Sequence, residues 1–378
     1  MPEQPPGSGE DELIARHFRP LAHHPGAFDL EDDAASLTPP AGCDLVITSD
    51  ALVAGVHFFP DDPPDTVGGK ALRVNLSDLA AKGARPLGFL LALALPSGFS
   101  ESWVSGFASG LGDDAHAYNC PLLGGDTVHT TGPTTICITA FGAVKQGQMV
   151  HRAGARPGDL VVVTGTIGDA ALGLLLRKDP GLAPCLRLSA RQQDELKRRY
   201  LQPQPRSAIA DLLPEHVSAA MDVSDGLAGD LAKLCRASKV AAEIEAARVP
   251  LSDAARAAIA ADPALLENVV SGGDDYEILA SVTPARFESL QQAAACARWV
   301  SAISPFPVRC AASDKRFTNG RPRMSARWRN RRITAWGPLY AGIYRHGGTR
   351  TLVPNVSPLI SGKPQFSSPG RGRSSETN

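Results

Sequence analysis

The chain has 378 residues, of which 43% are hydrophobic and 20% are charged, a composition ordinary for a globular protein of two domains. Its formal net charge of −1 combines an excess of thirteen negative charges in residues 1–303 with an excess of twelve positive charges in residues 304–378. An acidic body of this kind argues against nucleic acid as the main partner, and its carboxylates are suited to neutralisation by bound cations.

The first predicted domain covers residues 10–148 and mixes helices with strands. In chain order, the pattern predicts a helix opening at Glu10 with Leu13, Ile14 and Phe18, a strand over 44–48 ending at Ser49 and Asp50, a helix over 66–83, a buried strand over 87–95, a helix capped by Ser100, and a strand over 134–144. Acids in a first turn, a hydroxyl at the N-cap and a glycine after the last turn are usual helix boundaries. The run at 87–95 is the longest apolar stretch and is too short to cross a membrane.

The second predicted domain covers residues 149–303. Its predicted elements are a strand from Asp159, a helix over 169–176, a strand over 219–223, a helix over 227–235, a strand over 276–282 and a helix over 283–297. Such a mixture of strands and helices is typical of an α/β or α+β protein.

Residues 304–378 differ from everything before them. They are rich in Arg, Ser, Pro and Gly, and their apolar residues follow no regular period. Such a segment buries too little apolar surface to offset the entropy of ordering it, so we predict a disordered basic tail. A nucleic-acid-binding arm is the alternative interpretation of the same charge.

The cysteines and the N-terminus indicate a cytoplasmic protein. The seven cysteines are scattered and contain no C-x-x-C pair, which favours free thiols in a reducing compartment. The N-terminus has no basic region followed by an apolar one, so no secretory signal is expected.

Six short acidic segments place carboxylates beside glycine, serine or threonine, at residues 31–34, 48–50, 75–78, 124–127, 222–226 and 272–276. Taken singly, each aspartate is expected to be a turn residue. Together they supply the hard oxygen ligands that Mg²⁺ prefers, with no Cys or His cluster for a softer metal. The set predicts a Mg²⁺-dependent enzyme that handles phosphates. Neither a P-loop nor a G-x-G-x-x-G after a strand is present, so the phosphates need another binding architecture.

Eight segments in order resemble the thiamine-monophosphate kinase family over roughly residues 10–300. They lie at 32–35, 48–58, 70–84, 123–127, 152–159, 163–170, 221–227 and 271–277, and include Asn-Leu-Ser-Asp at 75–78 and Asp-Val-Ser-Asp-Gly at 222–226. The family belongs to a superfamily of ATP-dependent enzymes that includes aminoimidazole ribonucleotide synthetase, selenophosphate synthetase and a hydrogenase maturation factor.

The resemblance implies an N-terminal synthetase-like α/β domain whose sheet pairs with its twin in a homodimer, and a C-terminal α+β domain behind it. ATP and thiamine monophosphate would bind in the cleft between the domains, and thiamine diphosphate would be the product. The implied metal ligands, for several Mg²⁺ ions, are Asp33, Thr48, Ser49, Asp50, Asp78, Asp126, Asp222 and Asp225. The implied ATP contacts are Gly125, Asp126, Arg152 and Ser224, and the implied thiamine monophosphate contacts are His57 and Asp274. No catalytic acid or base is assigned, because a phosphate acceptor is already an anion.

The chain departs from the family pattern at three places. Glu31 stands where the family usually has glycine, and Asp274 stands where it often has glutamate. Nothing after about Ser304 matches, so no residue can be assigned to the aromatic group that covers the substrate in the family. The abrupt change of composition there is what translation in another reading frame produces.

Two other functions remain open from the sequence. One is an amidine-forming enzyme of the same superfamily, although segments 53–58 and 75–80 favour the kinase; Cys43 lacks the glycine-rich setting that selenophosphate synthetase requires. The other is a catalytically impaired protein that binds nucleotide or divalent cations, and ATP binding without ADP formation would distinguish it.

Overall fold

The computed structural model describes residues 10–296, together with the backbone of three further strands at 304–306, 331–336 and 340–345. Sequence predictions that concern residues 1–9, or the remaining parts of 297–378, lie outside the described residues. Within the described part of the chain, no helix is both long enough and apolar enough to cross a membrane.

The fold is mixed α/β, with helices and strands interspersed along the chain. The helices are α1 Glu10–Leu13, α2 Pro64–Ala81, α3 Glu101–Ala117, α4 Asp169–Lys178, α5 Leu182–Cys185, α6 Ala190–Leu201, α7 Leu213–His216, α8 Leu227–Ser238, α9 Asp253–Ala261, α10 Leu265–Ser271 and α11 Pro284–Cys296. The strands are β1 Cys43–Val53, β2 Arg85–Pro96, β3 Leu122–Thr130, β4 Thr135–Lys145, β5 Leu160–Val163, β6 Val217–Asp222, β7 Ala241–Glu245, β8 Ile278–Val282, β9 Ser304–Phe306, β10 Arg331–Trp336 and β11 Tyr340–Arg345.

A four-stranded sheet in the order β1–β4–β2–β3 forms the centre of the N-terminal domain. β4 runs antiparallel to β1 and β2, whereas β3 runs parallel to β2. Ile136, Ile138 and Ala140 alternate along β4 and are buried on the face that α2 covers. The opposite face of this sheet is called the outer face below.

α2 and α3 pack with their backbones in contact. A Cβ atom at Gly68 would lie 2.2 Å from the carbonyl oxygen of Phe107, and one at Gly110 would lie 1.9 Å from the carbonyl oxygen of Asp65. Only glycine permits this approach. The side of α2 that the sheet and α3 leave open is covered by the C-terminal domain, so nearly the whole helix is buried.

The C-terminal domain contains two further sheets. One, in the order β6–β8–β5–β9, is antiparallel throughout, and the other has the order β11–β10–β7. Its main core includes Leu172, Leu196, Leu231 and Leu266, from four different helices. A smaller core joins the β6–β8–β5 sheet to the end of α2 and so connects the two domains.

A buried acid with two arginine partners lies where the chain enters β8. Glu277 is 0% exposed. Arg199 Nη2 donates to its Oε1 at 2.8 Å, and both Arg206 Nε and Thr164 Oγ1 donate to its Oε2 at 2.6 Å. A buried carboxylate is tolerated only when it is paired and hydrogen-bonded, so this network depends on every partner.

Replacing Glu277 by Gln should therefore destabilise the protein strongly, because two buried guanidinium groups lose their counter-charge. We expect a loss of about 3–5 kcal/mol in the free energy of unfolding, measured by urea denaturation. Glu245→Gln is the matched control: Glu245 is exposed and 3.9 Å from Arg248, and its loss should cost less than about 1 kcal/mol. If both substitutions lowered the free energy of unfolding equally, burial of the Glu277 network would not be the cause of its contribution to stability.

Most elements predicted from the sequence are present within a few residues of their predicted ends, and the Ser100 cap is confirmed by a hydrogen bond from Trp103 N. Two local predictions were wrong. Ser49 and Asp50 lie inside β1 rather than at its end, and Asp126, taken singly as a turn residue, lies inside β3. In both cases pairing with a neighbouring strand extends the strand past residues whose own preference is for turns.

Three short strands are described within the segment that the sequence predicts to be a disordered basic tail. β9 pairs with β5, and β10 pairs with both β7 and β11. The β10 and β11 segments, Ile-Thr-Ala-Trp and Tyr-Ala-Gly-Ile-Tyr, contain the β-branched and aromatic residues that strands favour. The prediction for the rest of the tail lies outside the described residues.

Candidate active site

Two carboxylates of the N-terminal domain meet where β1 faces α2. Alternation along β1 directs Val46 and Thr48 toward the helix, and Thr48 Oγ1 donates a 2.5 Å hydrogen bond to Asp78 Oδ2 near the end of α2. Burial, followed by repulsion from Asp78 and Asp225, raises the pKa of Asp50 to about 6. Asp78 and Asp225 therefore both act electrostatically on Asp50, although Asp225 comes from the other domain.

The segment after β6 completes this group. Asp222 is buried at the end of the strand, and burial, together with the charges of Asp78, Asp230 and Asp50, raises its pKa well above the usual range. The nearby Ser77 hydroxyl opposes that shift in the pKa of Asp222. We call Asp50, Asp78, Asp222 and Asp225 the carboxylate cluster; it joins acids from both domains.

Three basic residues lie beside the carboxylate cluster: Lys233 Nζ pairs with Asp225 Oδ2, and Lys82 lies near Asp78 and Asp222 with Arg152 beside it. Lys82 Nζ donates to the carbonyl oxygen of Ala220 at 2.9 Å. Its pKa is lowered by burial and by the charge of Arg152, against the opposing pull of Asp78 and Asp222. Positive charge thus lies beside the cluster on the side of Arg152, whose side chain is exposed.

The remaining predicted metal and ATP residues of the N-terminal domain lie on the outer face. Ser49 points away from Thr48, as neighbouring strand residues must, and its Oγ lies 3.0 Å from Thr139 Oγ1. A cavity of about 730 Å³ opens on this face. Its lining includes Asp32, Asp33, Gly124, Gly125, Asp126, Thr127, Cys137 and Thr139.

Asp126 does not join the carboxylate cluster within one chain. Asp50 pairs with Ile138, Ile138 with Leu91, and Leu91 with Gly125. The backbones at Asp50 and Gly125 are therefore three strand spacings apart, about 14 Å. A Cβ atom at Gly125 would lie 1.8 Å from the carbonyl oxygen of Leu91, so glycine is required where the two strands approach.

Two segments of the C-terminal domain are locked together behind the cluster. Asp274 N donates to the carbonyl oxygen of Ser224 at 2.9 Å, and Tyr276 N donates to that of Val223 at 2.8 Å. Asp274 has a φ of +72°, a left-handed conformation that aspartate tolerates better than most residues. This pairing fixes the backbone of Ser224 and Asp274 relative to each other.

His57 faces Asp274 across the boundary between the domains. His57 Nδ1 accepts a hydrogen bond from Val53 N at 3.0 Å. Burial lowers the pKa of His57, the nearby Asp274 charge opposes that shift, and Lys70 adds to it. The imidazole therefore favours its neutral form, with Nδ1 as an acceptor.

The donor set of the carboxylate cluster suits a hard divalent cation, because mutual repulsion of its acids is what a bound cation relieves. In the described residues, however, no group of three or more Asp, Glu, His or Cys side chains is gathered tightly enough to hold a metal ion by itself. Mg²⁺ commonly takes only one or two carboxylates and completes its shell with water and substrate phosphates. The cluster fits that type of binding rather than a closed protein cage.

Comparison with known proteins agrees with this geometry. The family model "AIR synthase related protein, N-terminal domain" matches residues 31–144, and "AIR synthase related protein, C-terminal domain" matches residues 156–298. Thiamine-monophosphate kinase of Caulobacter vibrioides is 44% identical over 292 residues, covering 76% of this chain and 81% of the relative. The chain belongs to the thiamine-monophosphate kinase family. The enzyme of Escherichia coli K12 is 40% identical over 279 residues, covering 72% of this chain and 82% of that protein.

Solved structures of thiamine-monophosphate kinases share the fold of this chain. The enzyme from Stenotrophomonas maltophilia K279a superposes with a TM-score of 0.70 at 36% identity, covering 80% of this chain and 93% of that one. AaThiL in complex with AMPPCP and TMP superposes with a TM-score of 0.62 at 29% identity, covering 75% and 85% of the two chains. The ATP complex of the hydrogenase maturation protein HypE, at 20% identity and a TM-score of 0.65, shows the shared fold alone.

The family motifs left two lysines without a role. Lys82 follows Asp78 by four residues at the end of α2, a spacing that places both side chains on one helix face and was visible in the sequence. Lys70 lies inside the apolar part of the same helix, where sequence alone does not indicate which domain it contacts.

The raised pKa of Asp50, caused first by burial and then by repulsion from Asp78 and Asp225, predicts a pH-dependent gain of stability in Asp50→Asn. The folded-state pKa of Asp50 is raised from 3.8 to about 6, so folding favours its neutral form and stability is lost as pH rises through that interval. The asparagine variant should have a higher free energy of unfolding than the wild type near pH 7, roughly one pH unit above the folded pKa. The gain should shrink toward zero near pH 4, where the carboxyl is protonated in the folded wild type. Urea denaturation at both pH values measures this gain, and a pH-independent difference would contradict the raised pKa of Asp50.

Proposed function

We propose that this chain transfers the γ-phosphoryl group of ATP to thiamine monophosphate and forms thiamine diphosphate by direct in-line displacement. The observation that carries the proposal is the carboxylate cluster, in which acids of both domains meet beside Lys82 and Arg152 at the domain boundary. Membership of the thiamine-monophosphate kinase family supports the reaction, and the AaThiL complex with AMPPCP and TMP supports ATP as the co-substrate.

The phosphate acceptor makes a catalytic base unnecessary. Its oxygen is already anionic, so the reaction needs alignment of the two phosphates and neutralisation of their charge. Arg152 is suited to two parallel hydrogen bonds to a phosphate, and Lys82 contributes a second positive charge nearby. Gly125 and Ser224 offer backbone that a nucleotide phosphate can approach closely.

The proposed Mg²⁺ ligands are the side chains of Asp33, Thr48, Ser49, Asp50, Asp78, Asp126, Asp222 and Asp225. When bound, Mg²⁺ would neutralise the phosphate charge that the carboxylates alone would repel. Thr48 orients the carboxylate of Asp78 through its 2.5 Å hydrogen bond. This hydroxyl thus holds Asp78 in place before the substrates arrive.

We also propose that the protein works as a cytoplasmic homodimer. Leu45, Ile47 and Val128 are exposed on the two edge strands of the N-terminal sheet, and Ile47 is 58% exposed. Such residues are typical of a surface that a partner covers. A second copy on the outer face also offers a way for Asp126 to reach the carboxylate cluster of the partner subunit. Within one chain the two are separated by three strand spacings of about 4.8 Å, or about 14 Å.

The activity itself is tested by an assay for thiamine diphosphate formed from thiamine monophosphate, ATP and Mg²⁺. Asp50→Asn and Asp126→Asn should each lower kcat by about 100-fold, because each removes charge where phosphoryl transfer must be stabilised. Asp113→Asn, at an exposed position on α3, is the matched control and should keep wild-type turnover. ATP binding by the wild type without formation of either ADP or thiamine diphosphate would refute the proposed function.

The dimer is tested by sedimentation equilibrium. A charge placed at the centre of an apolar interface must be desolvated, so Ile47→Asp should shift the protein toward the monomer and lower turnover in parallel. Ile47→Val, which keeps an apolar side chain, should remain dimeric. An Ile47→Asp protein with unchanged mass and activity would show that the outer face is not the interface.

A further inference from the structure

Lys70 is a buried lysine of α2 whose ammonium group contacts both proposed substrate-binding residues. Its side chain is 3% exposed. Nζ donates to Asp274 Oδ2 at 3.0 Å and to the backbone carbonyl oxygen of His57 at 3.2 Å. The same nitrogen lies 4.1 Å from the centroid of the Tyr200 ring.

These contacts join three parts of the molecule. His57 belongs to the turn after β1, Asp274 belongs to the segment before β8, and Tyr200 ends α6. A buried ammonium is stable only when it is paired and hydrogen-bonded, so Lys70 draws these groups together. Its contacts cross from the N-terminal to the C-terminal domain.

The position of Asp274 makes it dependent on such a partner. Its backbone is left-handed and lies just outside β8, so strand packing does not orient the carboxylate. The side chain remains 28% exposed, which leaves it accessible to a ligand while Lys70 holds one oxygen. The ion pair also cancels its charge, so Asp274 is presented as an oriented hydrogen-bond acceptor rather than as a free counter-ion.

We propose that Lys70 is a positioning residue for thiamine monophosphate. It holds the Asp274 carboxylate and the His57 turn in one arrangement across the domain boundary, and Asp274 then accepts a hydrogen bond from a neutral donor of the substrate, such as its aminopyrimidine amine. This inference rests on the proposed function. Lys70 itself acts through Asp274 and His57.

The His57 turn has a second attachment that does not involve Lys70. Arg177 Nη2 donates to Asp62 Oδ1 at 2.6 Å, Asp62 Oδ2 accepts from Phe59 N at 2.8 Å, and the Phe59 ring packs edge-on against Tyr200. A variant at Lys70 therefore keeps the turn against the C-terminal domain, and its folding can be checked by thermal unfolding.

The test is a double-variant cycle with Lys70→Met, Asp274→Asn and the combination of both, with Lys145→Met at an exposed lysine of β4 as the matched control. Steady-state assays give KM for thiamine monophosphate, KM for ATP, and kcat. Lys70→Met should raise KM for thiamine monophosphate by about tenfold, the effect of one hydrogen bond to a charged group. KM for ATP should stay within about twofold of wild type, because the nucleotide site lies on other residues. With Asn at 274, the Lys70 substitution should add little further, because the carboxylate that it positions is gone and the His57 turn keeps its attachment through Asp62.

Additive effects of the two substitutions would show that Lys70 acts on substrate binding independently of Asp274 and would overturn the proposal. So would equal changes in both KM values, which indicate a general folding defect, or an unchanged KM for thiamine monophosphate. The same cycle, measured by urea unfolding without ligand, tests the Lys70–Asp274 ion pair separately from catalysis. The loss in free energy of unfolding in the double variant should be smaller than the sum of the losses in the two single variants. If the wild type formed no thiamine diphosphate, the proposed function and the substrate role of Lys70 would both be refuted. Coupling in the unfolding cycle would still show that the Lys70–Asp274 ion pair joins the two domains. Absence of coupling between Lys70 and Asp274 in the unfolding cycle would refute the proposed ion pair even if the enzyme were active.

Discussion

Burial of α2 between the two domains is the constraint on which the rest of this structure depends. One side of the helix packs Leu72 and Leu76 into the N-terminal core, and Ala80 and Ala81 at its end belong to the core shared with the C-terminal domain. In a helix that is buried on all sides, each charged side chain needs a partner, because an unpaired buried charge is destabilising. Several of its polar residues consequently occur where the domains meet.

Three polar side chains of α2 illustrate this rule. Lys70 reaches Asp274, Ser77 Oγ donates to the carbonyl oxygen of Tyr276 at 3.4 Å, and Asp78 faces the acids of the segment after β6. The helix therefore positions the carboxylate cluster and the proposed substrate contacts at once. A small rotation of α2 would disturb both.

The segment before β8 combines stability and function in alternate residues. Asp275 and Glu277 are buried, accepting hydrogen bonds from Gly168 N at 2.7 Å and from the arginine pair respectively, and they anchor the backbone. Asp274 directly precedes the buried Asp275, and its carboxylate accepts a hydrogen bond from Lys70. The carboxylate cluster is the opposite case: its acids repel one another in the folded protein, a loss of stability that binding of cation and phosphate would reverse.

Apolar periodicity and hard oxygen ligands are local properties, so the sequence predicted the two-domain organisation in outline, the main helices and strands, and the chemistry of the acidic segments. Which acids meet depends on the packing of distant segments. Thr48 and Ser49 are neighbours in sequence, yet strand alternation sends one to Asp78 and the other to the outer face. Pairing across the sheet separates Asp126 from Asp50, and the boundary between domains gives Lys70 its partner 204 residues away. Such contacts depend on how distant segments pack, and no local pattern of residues records them.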